Sequence, residues 1–199
     1  SSPGLRSTSY SLQKSMTMSE FGVDPVSIDV GRLVRRTVAS LYSSLVTRPT
    51  GQAVRLAIEN VLAEETGPVS LSVIDLSQVT IIDFSCADEV VAKLLLRFMD
   101  QDRPRDAFFV FRGIQEMHRD PIEVVLERQT LAAVAETENG DFELIGSTSW
   151  KEMEVWQALE GRGKVKASEV SGLLPGNGTE ETLGELVRRR LVFQNPISG

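Results

Sequence analysis

The sequence predicts an α/β fold with a mostly parallel sheet, and three observations support this prediction. First, short apolar segments that read VSLSVIDL, AFFVF and LAAVA alternate along the chain with stretches of helical periodicity. Second, these segments are almost continuously apolar, which is typical of strands covered on both faces. Third, the 199 residues are 41% hydrophobic and 25% charged, a composition that allows a buried core. Alternating strands and helices then imply right-handed crossovers.

The first third of the chain is predicted to contain a tail, one strand and two helices. Residues 1–25 are expected to form a disordered tail, because seven of the first nineteen are serine and apolar residues are sparse. A short strand is expected to begin at Val26, where apolar residues alternate. Apolar residues at steps of three and four then predict amphipathic helices over about 31–46 and 53–62.

The middle of the chain continues as strands and helices in turn. A helical stripe occupies 87–98, and Asp120-Pro121 has the cap residue and first-turn proline of a helix start. An Asn139-Gly140 turn makes the last two strands an antiparallel hairpin. We therefore assign 26–146 to one α/β domain. Its later strands are predicted, in order, at 69–76, 107–111, 131–135 and 142–145.

Residues 149–199 are predicted to form a small winged-helix-like domain. The expected elements are helix, short strand, helix, turn, helix and strand, which is the order of that module. The two strands are expected at Val165 and at 191–193, and the third helix is expected to begin at Thr179. The three helices are placed at 150–159, at 167–174 and from 179 onward.

The third helix of this domain raises the question of DNA binding. In winged-helix modules this helix enters the major groove, so Arg188, Arg189 and Arg190 are candidate DNA contacts. A transcription regulator with an α/β sensing domain is therefore an alternative function. Nucleic acid is the less favoured partner, because the groove-facing start of this helix is acidic. Its acidic residues are Glu180, Glu181 and Glu185.

Composition excludes several kinds of site and location. One cysteine cannot form an internal disulfide, and one cysteine with one histidine cannot build a zinc site unaided, so no metal or cofactor is expected. No stretch approaches the roughly 18 apolar residues of a membrane span, and no signal peptide opens the chain, so a cytoplasmic protein is expected. The net charge of −7 arises in 28–148, where twelve basic residues meet nineteen acidic ones. This charge argues against nonspecific nucleic-acid binding by that part.

The segment IDLSQVTIIDFSCADEVVAKLL, residues 74–95, resembles the signature of the STAS domain found in bacterial anti-sigma factor antagonists. Asp75 corresponds to the aspartate that closes a buried strand, and Asp83-Phe84-Ser85 corresponds to the segment that opens the next helix. The similarity covers about 69–136. The run from Ser85 to Glu89 is similar to an uncharacterised STAS-like family, whose upstream arginine is matched by Arg48.

The resemblance implies a regulated binder rather than an enzyme. Members of the family are switched by phosphorylation of the serine that Ser85 matches, and the kinase is usually an anti-sigma factor or a related serine kinase. A protein of this kind is then the expected partner, no catalytic residue is expected, and a homodimer is left open. Arg48 is the anion-binding candidate. The partner-binding candidates are Asp75, Ser77, Asp83, Ser85, Asp88 and Glu89.

Each candidate residue also has a purely structural interpretation. Ser85 with an acid three residues on is typical of a helix cap. Asp75 and Asp83 are more readily used in loop hydrogen bonds than as an acid–base pair. Cys86 in a first helical turn is either a small buried residue or a stabilised thiolate. Arg48 also suits a salt bridge. A serine–histidine–aspartate triad with His118 is not favoured, because the serine elbow motif is absent.

Overall fold

The computed structural model describes residues 23–29, 34–65, 69–162 and 165–194. It has an α/β fold built on one six-stranded sheet, which confirms the predicted class. Four neighbouring strands are parallel, and one antiparallel strand is added at each edge. The strands are β1 (Val23–Asp29), β2 (Val34–Leu45), β3 (Val69–Ile82), β4 (Asp106–Arg112), β5 (Ala132–Glu136) and β6 (Phe142–Gly146).

Five helices and one short 3₁₀ helix are described around the sheet. The second of them, α2, spans 84–99 and changes its winding twice. It starts as an α-helix at Phe84–Ala87, widens to a π-helix at Asp88–Lys93 and ends as an α-helix at Leu94–Met99. Among the described helices, none combines the length and the apolar character needed to cross a bilayer. The others are α1 (Arg48–Ala63), α3 (Glu116–Arg128), α4 (Trp150–Arg162), the 3₁₀ helix Ala167–Gly172 and α5 (Thr179–Arg188).

The strand order decides where the first three helices lie. The strands follow one another across the sheet in chain order, so each parallel connection steps one strand in the same direction. Right-handed connections that step in one direction place all their helices on the same face. Accordingly, α1, α2 and α3 share one hydrophobic core with alternate residues of the strands. This core includes Leu76, Phe109 and Ala133 from the sheet and Ile58, Val90 and Leu126 from the helices.

The opposite face of the sheet is covered by the C-terminal helices. Alternate strand residues that point away from the first core form a second hydrophobic cluster with α4 and α5. The indole Nε1 of Trp156 donates a hydrogen bond to the carbonyl of Leu191 at 3.1 Å, which joins α4 to the segment after α5. The division into domains at 26–146 and 149–199 stays a prediction. The cluster contains Ala132, Val134, Val155, Trp156, Leu173, Leu186 and Leu191.

One predicted helix is a strand. The helix expected at 31–46 is replaced over its described part by β2, Val34–Leu45. This strand lies inside the sheet between β1 and β3, and it buries the adjacent residues Val38 and Ala39, so its pattern is not a simple alternation. Its sequence also contains valine, threonine and tyrosine, which favour strands. Apolar steps of three and four residues are therefore ambiguous in a strand that is buried on both sides.

Several predicted boundaries were also wrong. β3 continues past Asp75 to Ile82, because its second half still pairs with β2. α3 begins at Glu116, so Pro121 lies inside the helix and is buried there. Neither Val165 nor 191–193 forms a strand. Of the predicted tail, 1–22 lies outside the described residues, and its last three residues belong to β1.

Truncating Leu186 tests whether α5 is part of the main fold. Leu186 is fully buried in the second cluster, so Leu186→Ala should lower the free energy of unfolding by about 2–5 kcal/mol. Leu96→Ala, at a partly exposed position of α2, should cost about 0.5 kcal/mol and is the control. Urea unfolding followed by circular dichroism should show one transition that shifts as a whole. A separate early transition, with the main one unmoved, would contradict this expectation.

Candidate functional site

Ser85 lies at the start of α2 but does not cap it. The cap is Asp83, whose Oδ1 accepts a hydrogen bond from the Cys86 amide at 2.8 Å. The Ser85 hydroxyl is half-buried and donates to the same carboxylate oxygen at 2.9 Å. The cap interpretation of Ser85 was therefore wrong by two residues. Ser85 instead presents its hydroxyl at the first turn of the helix, beside a carboxylate.

The Asp83 carboxylate also holds the loop that follows β2. Its Oδ2 accepts a hydrogen bond from the Thr47 amide at 2.8 Å, and Thr47 has a left-handed backbone with φ 71°. Burial alone would raise the pKa of Asp83, but hydrogen bonds from Thr47, Cys86 and Ser85 hold that pKa below its ordinary value. One ionised side chain thus fixes the starts of both α1 and α2.

Cys86 is a buried thiol and not a nucleophile. Its Sγ donates to the Thr47 carbonyl at 2.9 Å. Burial and the nearby Asp83 carboxylate raise the pKa of Cys86 to about 12, so the thiol stays protonated near neutral pH. The residue also marks a close helix approach, since a Cβ at Gly51 would lie 2.8 Å from the Cys86 Cα.

Glu89 is the centre of an ion-pair cluster between α1 and α2. Its side chain is only 2% exposed, and three cations contact it at 2.9 Å each: Arg48 and Lys93 at Oε1, and Arg55 at Oε2. Burial would raise the pKa of Glu89, but hydrogen bonds from Lys93, Arg55 and Arg48 lower it. Arg48 also pairs with Asp88 at 2.9 Å. The candidate anion-binding arginine is thus engaged by two carboxylates of the chain itself.

The π-helical segment Asp88–Lys93 carries this cluster. In a π-helix the hydrogen bonds join residues five apart, which inserts an extra residue into the turn, and such segments are frequent at functional sites. Here the segment places Asp88 at Arg48, while Glu89 faces Arg48 and Arg55. Sequence periodicity does not distinguish a π-turn from an α-turn, and Arg55 was missed because it lies on a different helix.

Asp75 and Ser77 form a separate arrangement with the loop after β4. The Asp75 carboxylate accepts the Ser77 amide at 2.9 Å through Oδ1 and Arg112 Nε at 3.0 Å through Oδ2. Gly113, with φ 71°, packs so closely here that a Cβ would lie 2.5 Å from the Ser77 nitrogen. Burial opposes ionisation, but the bonds from Ser77 and Arg112 lower the pKa of Asp75. This aspartate serves loop bonding within the fold.

His118 is buried and hydrogen-bonded at both ring nitrogens. Nδ1 accepts the Gln115 amide at 3.1 Å, so the proton resides on Nε2, which donates to the Val79 carbonyl at 3.0 Å. Burial lowers the pKa of His118, and the bond to Val79 opposes that shift without reversing it. The Gln115 side chain likewise donates to the Ser77 carbonyl at 3.2 Å. Neither ring nitrogen is free to act as a base toward Ser85.

Three exposed apolar side chains lie where the β2–β3 pair ends and α2 begins. We call Val46, Ile81 and Phe84 the ribbon-end patch: Val46 follows β2, Ile81 is paired near the end of β3, and Phe84 opens α2 two residues after β3. Ile81 is 51% exposed and Phe84 is 44% exposed. The Arg128 guanidinium lies 6.0 Å from the Phe84 ring centroid. The patch residues expose apolar side chains at the start of α2, where Phe84 precedes Ser85 in the chain.

The three candidate DNA-contact arginines are not grouped on the surface. Arg189 is buried and bonds to Glu152 at 2.8 Å and to the Ser147 carbonyl at 2.7 Å. Arg190 is also buried. Arg188 remains accessible and pairs with Glu185 through Nε at 3.0 Å. A phosphate backbone approaching this helix end would therefore meet one paired arginine.

Comparison with models of known protein families and with curated proteins finds no match to this chain. The STAS resemblance of 69–136 accordingly stays an expectation, and its functional residues are considered on geometry alone. Among the described residues, no group of three or more histidine, cysteine, aspartate or glutamate side chains is placed to hold a metal ion. The predicted site residues form three bonded groups. These are Asp83 with Ser85, Arg48 with Asp88 and Glu89, and Asp75 with Ser77.

Neutralising Glu89 should destabilise the fold strongly. Glu89→Gln removes from a buried site the carboxylate that Arg48, Arg55 and Lys93 share. Arg48 and Arg55 each keep one other carboxylate and Lys93 loses the one it pairs with, so the free energy of unfolding should fall by about 3 kcal/mol. Asp88→Asn, which loses one ion pair near the surface, is the matched control and should change it far less. Urea unfolding of both variants measures this difference. Equal losses of unfolding free energy in the two variants would show that the buried position of Glu89 gives no additional stability.

The stability of the protein should fall as the pH drops through the range in which histidine titrates. The folded pKa of His118 is lowered, so the unfolded chain takes up the proton first when the pH falls below about 6.5. The stability that the neutral His118 ring contributes is fully present above that pH. It decreases as the pH falls from there to the pKa of the folded state. His118→Gln should abolish the slope between about pH 7.5 and 5.5 in urea unfolding. An unchanged slope in His118→Gln would show that other titrating groups cause the pH dependence of stability.

Proposed function

We propose that this chain is a non-catalytic regulatory protein that binds a protein partner through the ribbon-end patch and is switched by phosphorylation of Ser85. The observation that best supports this proposal is the position of the Ser85 hydroxyl, which is half-buried at a helix start and follows an exposed Phe84. An apolar surface with a modifiable group beside it suits a contact that must be made and released. This is also the function that the STAS resemblance implies.

Electrostatics supports a phosphate that disrupts rather than orders the site. The Ser85 oxygen lies 2.9 Å from the Asp83 carboxylate, and phosphorylation replaces this donated hydrogen bond with about two negative charges. The same carboxylate holds the Thr47 and Cys86 amides. Repulsion at Asp83 would therefore reach the loop after β2 as well as the start of α2. A partner seated on the ribbon-end patch would lose its surface.

The remaining polar residues of the site support a binding role. The cations at Glu89 are held by acidic side chains, the Cys86 thiol is protonated, and the His118 ring is bonded on both sides. We place the protein in the cytoplasm with an anti-sigma-type serine kinase as its modifying partner. DNA binding is not part of this proposal, because Arg189 and Arg190 are buried.

Charge at position 85 should decide partner binding. Wild-type protein and the Ser85→Ala and Ser85→Asp variants are immobilised and compared for capture of partner proteins from extracts of the cells that express it. Wild type and Ser85→Ala should retain the same protein. Ser85→Asp should retain at least tenfold less of it, because a negative charge next to Asp83 disturbs the site. Mass spectrometry identifies the retained protein, and calorimetry with the purified pair measures the affinities.

Two further variants separate the patch from general surface effects. Phe84→Ala should weaken the same interaction, because it removes an exposed aromatic ring from the patch. Ser168→Asp adds a charge at an exposed serine of the 3₁₀ helix Ala167–Gly172, away from the patch, and is the control for charge alone. Intact-mass measurement of protein from the same cells should detect a phosphate that maps to Ser85. Identical binding by wild type, Ser85→Ala and Ser85→Asp would refute the proposal.

A further inference from the structure

An apolar cleft lies between the second face of the sheet and the C-terminal helices. Its volume is 930 Å³, within the range of about 300–1,000 Å³ that is typical of small-molecule sites. Strands β4 and β5 supply one wall, and α4 and α5 supply the other. The cleft is separate from Ser85, which lies on the side of α2. Its apolar lining includes Phe108, Val110, Val134, Trp156, Leu183 and Val187.

Arg190 is the cation of this cleft. Among the described lining residues it is the only basic one, and its side chain is 6% exposed. Its nearest carboxylate, Asp106, is 3.6 Å away and is held more closely by Arg103, at 2.7 Å. Nε donates to the Arg188 carbonyl at 3.3 Å, and the guanidinium lies 4.9 Å from the Phe108 ring centroid. A buried cation so weakly neutralised favours an additional anion.

The backbone at Arg190 provides an independent observation. The residue has φ 63°, a left-handed conformation that helix ends usually assign to glycine. The turn is closed by the Leu191 amide, which bonds to the Leu186 carbonyl at 2.9 Å. A side chain is disfavoured in this conformation, and here that side chain is a guanidinium packed on the Phe108 ring in the cleft. Its placement directs the guanidinium into the cleft wall and away from the surface.

We propose that the cleft binds a carboxylate-headed aliphatic molecule of the free fatty acid class. The carboxylate accepts hydrogen bonds from Arg190, and the hydrocarbon chain lies along the apolar walls. Glu160 and Glu180 also line the cleft and are exposed, so they disfavour a second anionic group on the ligand. A single charged head on a long apolar body matches this distribution, whereas a nucleotide or another polyanion does not.

Dodecanoate and its neutral analogue dodecanol test the head group. Calorimetric titration of the full chain should show saturable binding of one dodecanoate, and dodecanol should bind about 10- to 100-fold more weakly. Arg190→Met keeps an apolar side chain of similar length and should abolish the preference for the acid. Arg188→Met, at the exposed arginine two residues earlier, is the matched control and should leave dodecanoate binding unchanged.

Gly184 permits a second test that does not touch the charge. It lines the cleft on α5, and a Cβ added there meets no atom within 4 Å. Gly184→Phe should fill the cleft and remove binding, whereas Gly184→Ala should leave room for the ligand. Both replace glycine within a helix, which favours folding, and circular dichroism verifies that they fold. This pair therefore decides the proposal even if Arg190→Met proves unstable.

The outcomes that overturn the proposal are specific. Equal affinity for dodecanol and dodecanoate in the wild type would remove the role of Arg190. Undiminished binding to Gly184→Phe would place the ligand elsewhere. Absence of saturable binding would also refute it, and is expected if another segment of this chain or a second copy fills the cleft. Sedimentation would identify a second copy by a dimer that Gly184→Phe dissociates.

Discussion

The direction in which the chain crosses the sheet is the constraint on which the architecture depends. Because β2 to β5 succeed one another in order and are parallel, their right-handed connections place α1, α2 and α3 on one face. The other face would expose alternate apolar residues of the same strands. α4 and α5 cover part of that face, which accounts for a second hydrophobic cluster and for the cleft left between helices and strands.

The two ionic centres of the structure depend on that arrangement. Since α1 and α2 share a face, their first turns meet, and Asp83 and Glu89 lie between them. Asp83 satisfies backbone amides that a helix start leaves unpaired, and Glu89 neutralises cations that both helices bring together. Ser85 donates a hydrogen bond to Asp83 and precedes Glu89 by four residues in α2. A change of its charge therefore acts on groups whose positions determine how the helices join.

Patterns in the sequence predicted the fold class, the later strands and the hairpin, because these depend on local apolar runs and on turn chemistry. They missed β2, since a strand buried inside the sheet carries apolar steps that equally fit a helix. They placed Asp83 and Ser85 at the start of α2, but the cap was predicted at Ser85 and lies at Asp83. Arg55 and Gly113 could not be found, because each contacts a residue more than thirty positions away in the chain, through tertiary packing. Arg189 and Arg190 look basic and exposed in the sequence and are buried in the fold.

The unequal lengths of β3 and β4 have a consequence for self-association. β3 pairs with β4 only as far as Asp75, so its last seven residues have β2 on one side and, within the described part of the chain, no strand on the other. An open edge of this kind is a template on which a second chain can add a strand. His118 and Gln115 donate to the carbonyls of Val79 and Ser77 there. Side chains from α3 and the residue before it thus occupy the acceptors that an aggregating strand would use.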